Sequence, residues 1–554
     1  VKNKKSHLQL ILLSLIILGA IGFRLIGINW DQGYYLHPDE RMIAIVAHRL
    51  SLPENLTELF SSNSSLNPNF FAYGSWPIYL LKLTSFFAGL FIPNLGEYSH
   101  GYLIGRTMSV IFELGTIIFL IKIAEKISQK KAGILAALFY GVSVLPIQLS
   151  HFYTVDIPLT FFLIGTVYFS FQFIDQQKKS NLVWSGIFLG MAISTKISAL
   201  PFAIIIIGAC FSSWPIKKRN LIKIIARLSL TGLITLATFI ILSPYSIIDA
   251  NTFLEQIKKQ QLMTKDPFVF PYTLQYVNTA PYFYQLKNYF LWGVGPFLAA
   301  ASWLSYLFLG TKIIKKIYFS KKINRQDKKI IIILGVIFIY FAITAGFSVK
   351  FMRYLIPLYP LLSLTTAIVL AKKSPWITMI IFLPSLAWVL MFTSIYTSTH
   401  SRIESSNWIN QNIPPGSTIA VEHWDDRLPL FGYQQYHFET LELYQPESVQ
   451  KWQKINHQLS KADYLIIASH RLYLPLSKLT DCPSLPPGKC YQETAQYYQK
   501  LFSEQSKFRK IAEFHQQPTV KFNNKKLIIN DFSADESFTV YDHPLILIFK
   551  KRTL

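Results

Sequence analysis

The sequence predicts a polytopic α-helical membrane protein that ends in a C-terminal extracytoplasmic α/β domain, and three observations carry that reading. Of 554 residues, 51% are hydrophobic and only 15% are charged, less charge than a soluble enzyme carries. The apolar residues gather in runs of about 20, the length a helix needs to cross a bilayer. After residue 397 these runs stop, and turn signals at Pro414-Pro415-Gly416 and Pro486-Pro487-Gly488 punctuate a polar chain.

Taken in order, the candidate spans are 8–28, 103–123, 132–150, 155–174, 182–198, 199–214, 224–246, 288–310, 329–347, 354–371 and 375–397, about eleven helices. Lys and Arg number 54 against 30 Asp and Glu, a net charge of +24. The excess sits in the short segments Lys122 to Lys131, Lys178-Lys179, Lys217-Lys218-Arg219, Lys312 to Lys329 and Lys372-Lys373. That is the positive-inside pattern, so the charge marks sidedness and no nucleic-acid partner is expected. Together with Lys2, Lys4 and Lys5 these segments set a cytoplasmic N-terminus in a multi-pass plasma-membrane protein. The first span lacks a small-residue cleavage site and reads as a retained anchor.

The apolar stretch 76–95 would invert the sidedness of every later basic loop if it crossed the membrane. With Trp76, Pro77 and Pro93 in it, it reads as interfacial or re-entrant, which makes 29–102 one long outer loop. The turn 151–154 and the loop 247–287 lie on the same side. Apart from 311–328 the inner loops are too short for a catalytic domain, and the chain has no G-x-x-x-x-G-K-[ST] phosphate loop. Two domains follow: a transmembrane catalytic module over 1–397 and an α/β domain over 398–554. In the latter, 418–422, 464–469, 539–541 and 545–549 read as strands, and 404–412, 446–459 and 492–503 as helices. An odd number of spans puts this domain outside, where Cys482 and Cys490 would form a bridge in an oxidising compartment. No internal repeat is evident.

The outer face holds the residues that carry chemistry. In His37-Pro38-Asp39-Glu40-Arg41 two carboxylates stand just beyond the first span. Proline disfavours helix at the residue before it, so Asp39 and Glu40 fall in the first turn of the next helix, where the helix dipole favours an ionised acid. Adjacent helical side chains diverge by roughly 100°, so one acid suits a catalytic role and its neighbour a structural one. Helix capping is the bland alternative. Asp156 precedes Pro158 at the outer end of two spans and reads equally as an N-cap. Lys196, Arg353 and Arg106 lie at outer span ends, placed either to offset a lipid-linked phosphate or to snorkel toward headgroups. Glu113, inside the 103–123 span, needs a partner, and Arg106 two turns earlier is the candidate. His37 and His151 are candidate contacts to substrate or to a divalent cation, although they lack fixed ligand spacing such as H-E-x-x-H.

These pieces resemble the GT-C fold, polyprenyl-phosphate-sugar-dependent glycosyltransferases of the protein O-mannosyltransferase and aminoarabinose transferase (ArnT-like) group. The resemblance spans roughly 8–397 and rests on Pro38-Asp39-Glu40, Ser150-His151-Phe152 to Asp156-Ile157-Pro158, Ser194-Thr195-Lys196, and Arg353-Tyr354-Leu355-Ile356-Pro357-Leu358-Tyr359-Pro360. It implies a catalytic set of Asp39 as the base that deprotonates the acceptor, Glu40 beside it and Asp156 as second-loop acid, with Lys196 and Arg353 holding the donor phosphate. The implied reaction is an inverting transfer from a polyprenyl-phosphate-linked sugar, drawn from the membrane lipid, to an unknown glycan, lipid or protein acceptor. The C-terminal region does not look like the trefoil domain of eukaryotic protein mannosyltransferases, so a protein acceptor is not implied. A flippase of a lipid-linked saccharide is the alternative and would need mid-membrane ionisable residues on several helices. A third reading, an anchored assembly protein, does not call for so many spans. Trp408, Trp424 and Trp452 are candidate sugar platforms or core aromatics.

Overall fold

The computed structural model describes residues 2–212, 218–320, 322–522 and 525–552. Lys217, Lys321 and the end of the 199–214 span, which belong to the expected inner loops and spans, lie outside the described residues. The chain divides into two units. Unit 1 comprises 1–28, 38–261 and 280–390; unit 2 comprises 29–37, 262–279 and 391–554.

Unit 1 is helical throughout. Its main helices are Lys2–Leu25, Pro38–Arg49, Ser75–Phe91, Gly101–Ile127, Lys130–Gly141, Val144–Ser150, Asp156–Gln176, Lys179–Thr195, Ala203–Ser212, Lys218–Leu242, Pro296–Ser320, Arg325–Thr344 and Leu358–Leu370. Among the described residues of the chain, five helices are long and apolar enough to cross a membrane. A sixth joins them if Lys130–Gly141 and Val144–Ser150, bent by 64°, form one broken span. Over their described residues the expected spans fall mainly on helical segments, but several of these, such as Leu358–Leu370, are shorter than a bilayer core. The stretch expected at the interface forms the helix Ser75–Phe91, with Pro77, Ile78 and Leu81 buried and Leu83, Phe86, Phe87 and Leu90 exposed.

The basic loops meet one another. Lys329 and Lys126 pair with Asp175 at 2.6 and 3.5 Å, Gln129 donates to the Ala371 carbonyl at 2.8 Å, and Lys131 to the Lys373 carbonyl at 3.2 Å. Asp175 lies near the end of the helix that Asp156 begins. At 1.5 Å per residue the two acids are about 30 Å apart, the thickness of a hydrocarbon core.

Unit 2 is built on a five-stranded sheet in the order β2-β1-β3-β7-β4, formed by β1 (Thr418–Glu422), β2 (His437–Leu441), β3 (Tyr464–Ile467), β4 (Phe508–Phe514) and β7 (Ile546–Lys551). A separate hairpin pairs β5 (Thr519–Phe522) with β6 (Lys525–Ile528). β2 and β3 run parallel to β1, while β7 runs antiparallel to β3 and β4. Alternate residues enter opposite cores, as a period of two requires. Ile419, Val421, Ile466 and Ile548 face the helix Ser401–Asn412 through Ile409, whereas Ala420, Leu465, Ile467 and Phe549 share the other core with Ile455 and Leu501 of helices Val449–Lys461 and Gln492–Phe502. The expected strand at 539–541 is not formed: Asp535 accepts the Ser537 amide at 2.9 Å and caps a helical turn, Glu536–Thr539. Unit 2 also takes in 29–37 and 262–279, parts of the two loops expected outside. Tyr276 donates to Asp535 at 2.9 Å, and His37 packs against Tyr541 with ring centroids 4.2 Å apart. Cys482 and Cys490 are disulfide-bonded, and Cys210 of unit 1 is a buried free thiol.

Candidate active site

Pro38 opens the helix Pro38–Arg49, so Asp39 and Glu40 occupy its first turn and their side chains part. Glu40 turns inward and is 1% exposed. Arg106 of the helix Gly101–Ile127 meets it through Nε at 2.9 Å and Nη2 at 2.6 Å, and the Tyr153 amide donates to the same carboxylate at 2.9 Å. This bidentate pair joins the first turn of one helix to a second helix and to the 151–155 turn. Gly105 allows the approach, because a Cβ there would lie 2.6 Å from the Tyr153 side chain. Arg106, expected at the donor phosphate, and Glu40, expected in the catalytic set, are thus both sealed from solvent and bonded to each other.

Asp39 faces the opposite way. Its Oδ2 lies 3.1 Å from Nη2 of Arg353, which sits in the turn Met352–Leu355 ahead of the helix Leu358–Leu370. Arg353 Nε also reaches Asp156 Oδ2 at 3.8 Å, and Lys196 Nζ lies 2.9 Å from Asp156 Oδ1. Asp156 is the first residue of its helix and follows the cap position, Val155. Two acids and two cations thus alternate, supplied by four elements distant in sequence. Their side chains are 15% exposed at Asp39, 13% at Arg353, 2% at Asp156 and 21% at Lys196, so the cluster is open at both ends. Rings support the cations: the Arg353 guanidinium lies 4.6 Å from the Phe351 centroid and Lys196 Nζ 5.1 Å from that of Tyr354.

Lys196 owes its place to a close backbone approach. The Gly74 amide donates to the Thr195 carbonyl at 3.0 Å, and a Cβ on Gly74 would collide with the Ser194 carbonyl. Only glycine lets the first loop lie on the end of the helix Lys179–Thr195.

The remaining expected site residues lie elsewhere. His151 is buried, with Nδ1 and Nε2 each 2.9 Å from a backbone carbonyl, those of Ile147 and Ile26. His37 belongs to unit 2 and is buried against Tyr541. Among the described residues no three His, Cys, Asp or Glu side chains are grouped to hold a metal ion. The two acids of the cluster also face cations, which would repel a divalent ion, so the residues here do not fit one.

Sequence reasoning missed Arg24. It pairs with Glu113 at 2.8 Å, where Arg106 was the expected partner, and Tyr140 donates its hydroxyl to the same carboxylate at 2.8 Å. Both charged side chains are fully buried. The available signal was an arginine inside the first apolar span, since an ionised group there demands a partner.

The family model described as dolichyl-phosphate-mannose-protein mannosyltransferase matches residues 99–244, a stretch that includes Arg106, Glu113, Asp156 and Lys196. No curated protein is similar enough in sequence to count as a relative. Among solved structures, the archaeal oligosaccharyltransferase AglB from Archaeoglobus fulgidus, in complex with an inhibitory peptide and a dolichol-phosphate, is 12% identical with a TM-score of 0.50, covering 99% of this chain and 89% of that one. The same enzyme tethered to an acceptor peptide containing the NVT sequon gives the same values. ArnT from Cupriavidus metallidurans bound to undecaprenyl phosphate is 13% identical over 88% of this chain and 96% of its own, with a TM-score of 0.43. At 12% identity the likeness to the archaeal enzyme is one of fold. The family match covers residues 99–244, about a quarter of the chain, and within the shared fold that stretch resembles the protein mannosyltransferases.

Proposed function

We propose that the chain moves a sugar from a polyprenyl-phosphate carrier to an acceptor hydroxyl or amine on the outer face of the membrane, with inversion at the anomeric carbon. The observation that carries this reading is the open, alternating cluster of Asp39, Arg353, Asp156 and Lys196. As the acceptor oxygen or nitrogen bonds to the anomeric carbon, Asp39 takes its proton. The bond from that carbon to the phosphate oxygen breaks, and the phosphate leaves as a dianion against Arg353 and Lys196. Those cations exchange carboxylate for phosphate contacts, and Asp156 takes them back when the phosphate departs. Glu40 and Arg106 act as positioning residues through the first turn that bears Asp39.

Three further features support the reading. An apolar cavity of about 550 Å³, lined by Ile193, Ile197, Leu200, Ile207, Leu236 and Phe239, has the chain neighbour of Lys196 in its wall and suits an isoprenoid chain whose phosphate rests on that lysine. The separation of about 30 Å between the cluster and the basic loops agrees with an outer site. The Cys482–Cys490 bridge agrees with an oxidising compartment for unit 2. The flippase reading is weakened because Glu113, the mid-helix acid it would use as a proton relay, is closed off with Arg24 and Tyr140.

The test uses the full chain in liposomes with polyprenyl phosphate bearing labelled mannose or aminoarabinose, plus a cell-envelope extract as acceptor. Free polyprenyl phosphate and a glycosylated product of opposite anomeric configuration are expected together. Donor that crosses the bilayer uncleaved, or a product that retains configuration, overturns the proposal.

A further inference from the structure

Of the three tryptophans that the sequence leaves as platforms or core aromatics, two are core. Trp408 packs against Phe514 at 6.0 Å, and Trp452 packs against Tyr497 while donating its indole N–H to Glu447 at 2.6 Å. Trp424 differs. It is 40% exposed, and it follows β1 with a φ of +78°, a left-handed conformation that a bulky residue keeps only where its surroundings hold it.

Buried charges hold it. β1 and β3 are adjacent and parallel, and their onward connections leave in opposite directions, from β1 to β2 on one side and from β3 toward the β7 and β4 side on the other. In an open α/β sheet the loops at the carboxyl ends of two such strands diverge, and the crevice between them is the usual ligand site. Here residues 423–427 and 468–471 form those loops. Arg402 anchors the first, meeting Asp425 at 2.7 Å and Asp426 at 2.9 Å, and the Ser469 hydroxyl ties the second to it by bonding Asp425. Arg471 donates to the Trp424 carbonyl at 3.1 Å and pairs with Glu536 at 2.6 Å. Burying these ions is a poor way to gain stability alone, but a good way to fix a loop. The indole meets the His423 ring at 5.4 Å and the Tyr444 ring at 6.4 Å, and farther along the same loop Asp426 is partly exposed and Arg427 exposed, its guanidinium braced over Phe438 at 4.5 Å.

We propose that this edge of unit 2 is a carbohydrate-binding site, with Trp424 as the platform for the apolar face of a pyranose ring and Asp426 and Arg427 as hydrogen-bond partners of its hydroxyls. A pyranose carries both an apolar face and a rim of donors and acceptors, which matches an exposed indole whose own loop carries a carboxylate and a guanidinium two and three residues on. The site goes beyond the proposed transfer reaction and uses none of its residues.

The test labels the full-length chain in detergent micelles with 5-fluorotryptophan and assigns the Trp424 resonance through Trp424→Phe. The probes are the methyl glycosides of glucose, mannose and N-acetylglucosamine, their disaccharides, and a neutral decapeptide. At least one saccharide is expected to shift the Trp424 signal saturably. Trp424→Ala is expected to weaken that binding by about tenfold with an unchanged melting temperature. Asp39→Asn, which disables the proposed transfer, is expected to leave it intact, so failure of one proposal is distinguishable from failure of the other. The proposal is overturned if no saccharide moves the signal, if only the peptide does, or if Trp424→Ala binds as tightly as the parent.

Discussion

Unit 1 builds two kinds of ion pair from the same residue types, and the contrast between them separates scaffold from chemistry. The Arg106–Glu40 and Arg24–Glu113 pairs are sealed from water, and each acid is further satisfied by the Tyr153 amide or the Tyr140 hydroxyl. Nothing is left over for a ligand. In the Asp39–Arg353–Asp156–Lys196 cluster one guanidinium is divided between two acids at 3.1 and 3.8 Å, and both end groups meet solvent. Buried pairs in low dielectric lose heavily when one partner goes, whereas half-open pairs can trade a carboxylate for an incoming anion. Asp39 and Glu40 are adjacent in the chain, yet they fall on opposite sides of that divide.

The largest expected effect breaks the contrast at that adjacent pair. Asp39→Asn should lower sugar transfer by about 10²–10⁴-fold while leaving the melting temperature and donor binding close to those of the parent. Donor discharge assays alongside thermal unfolding in detergent measure both. Glu40→Gln or Arg106→Met should do the reverse at first order, destabilising the fold by about 3–5 kcal/mol because a charge is stranded in the interior. The double variant Glu40→Met/Arg106→Met should recover much of that loss, and a double variant no more stable than either single one would show that the pair is not closed as described. A smaller effect tests the open cluster: Arg353→Lys keeps the charge but loses the fork, so the donor KM should rise about tenfold with little change in melting temperature.

Legibility in the sequence followed the same divide. Ionised residues at the ends of apolar runs stand out, so Asp39, Asp156, Lys196 and Arg353, which the fold brings together, are all legible as candidates, and the first-turn position of Asp39 follows from Pro38 alone. Partner choice did not stand out. Arg106 and Glu113 share a helix, yet each pairs across the unit, with Glu40 and Arg24, because helix packing rather than spacing decides which side chains meet. In unit 2, β1 and β3 were legible as short apolar runs with both faces covered. β2 and β4 are the sheet edges and carry polar, exposed positions such as Thr440, Arg509 and Lys510, so their alternation is too weak to read. The recruitment of 29–37 and 262–279 into unit 2 depends on contacts such as Tyr276–Asp535, which no local pattern announces.

Unit 2 sharpens the contrast with a closed set that titrates. His543 is buried between two carboxylates, with Nδ1 2.5 Å from Asp542 and Nε2 2.8 Å from Asp531, and Tyr396 donates to the far oxygen of Asp542 at 2.7 Å. Burial pushes the imidazole toward the neutral form, but Asp542 and then Asp531 outweigh it and raise its pKa from 6.5 to about 10. The folded state therefore holds a proton that the unfolded chain releases above about 6.5. Stability from this group is complete below that pH and is lost as pH rises toward 10. The melting temperature of unit 2 should fall by about 5 °C between pH 7 and pH 10, in a step that His543→Asn removes. Asp542→Asn should lower the midpoint of the same step, since one of the two anions that hold the proton is gone. Transfer at the open cluster should not follow this profile. An activity loss that tracks the His543 step would mean that the closed set governs the chemistry as well as the fold.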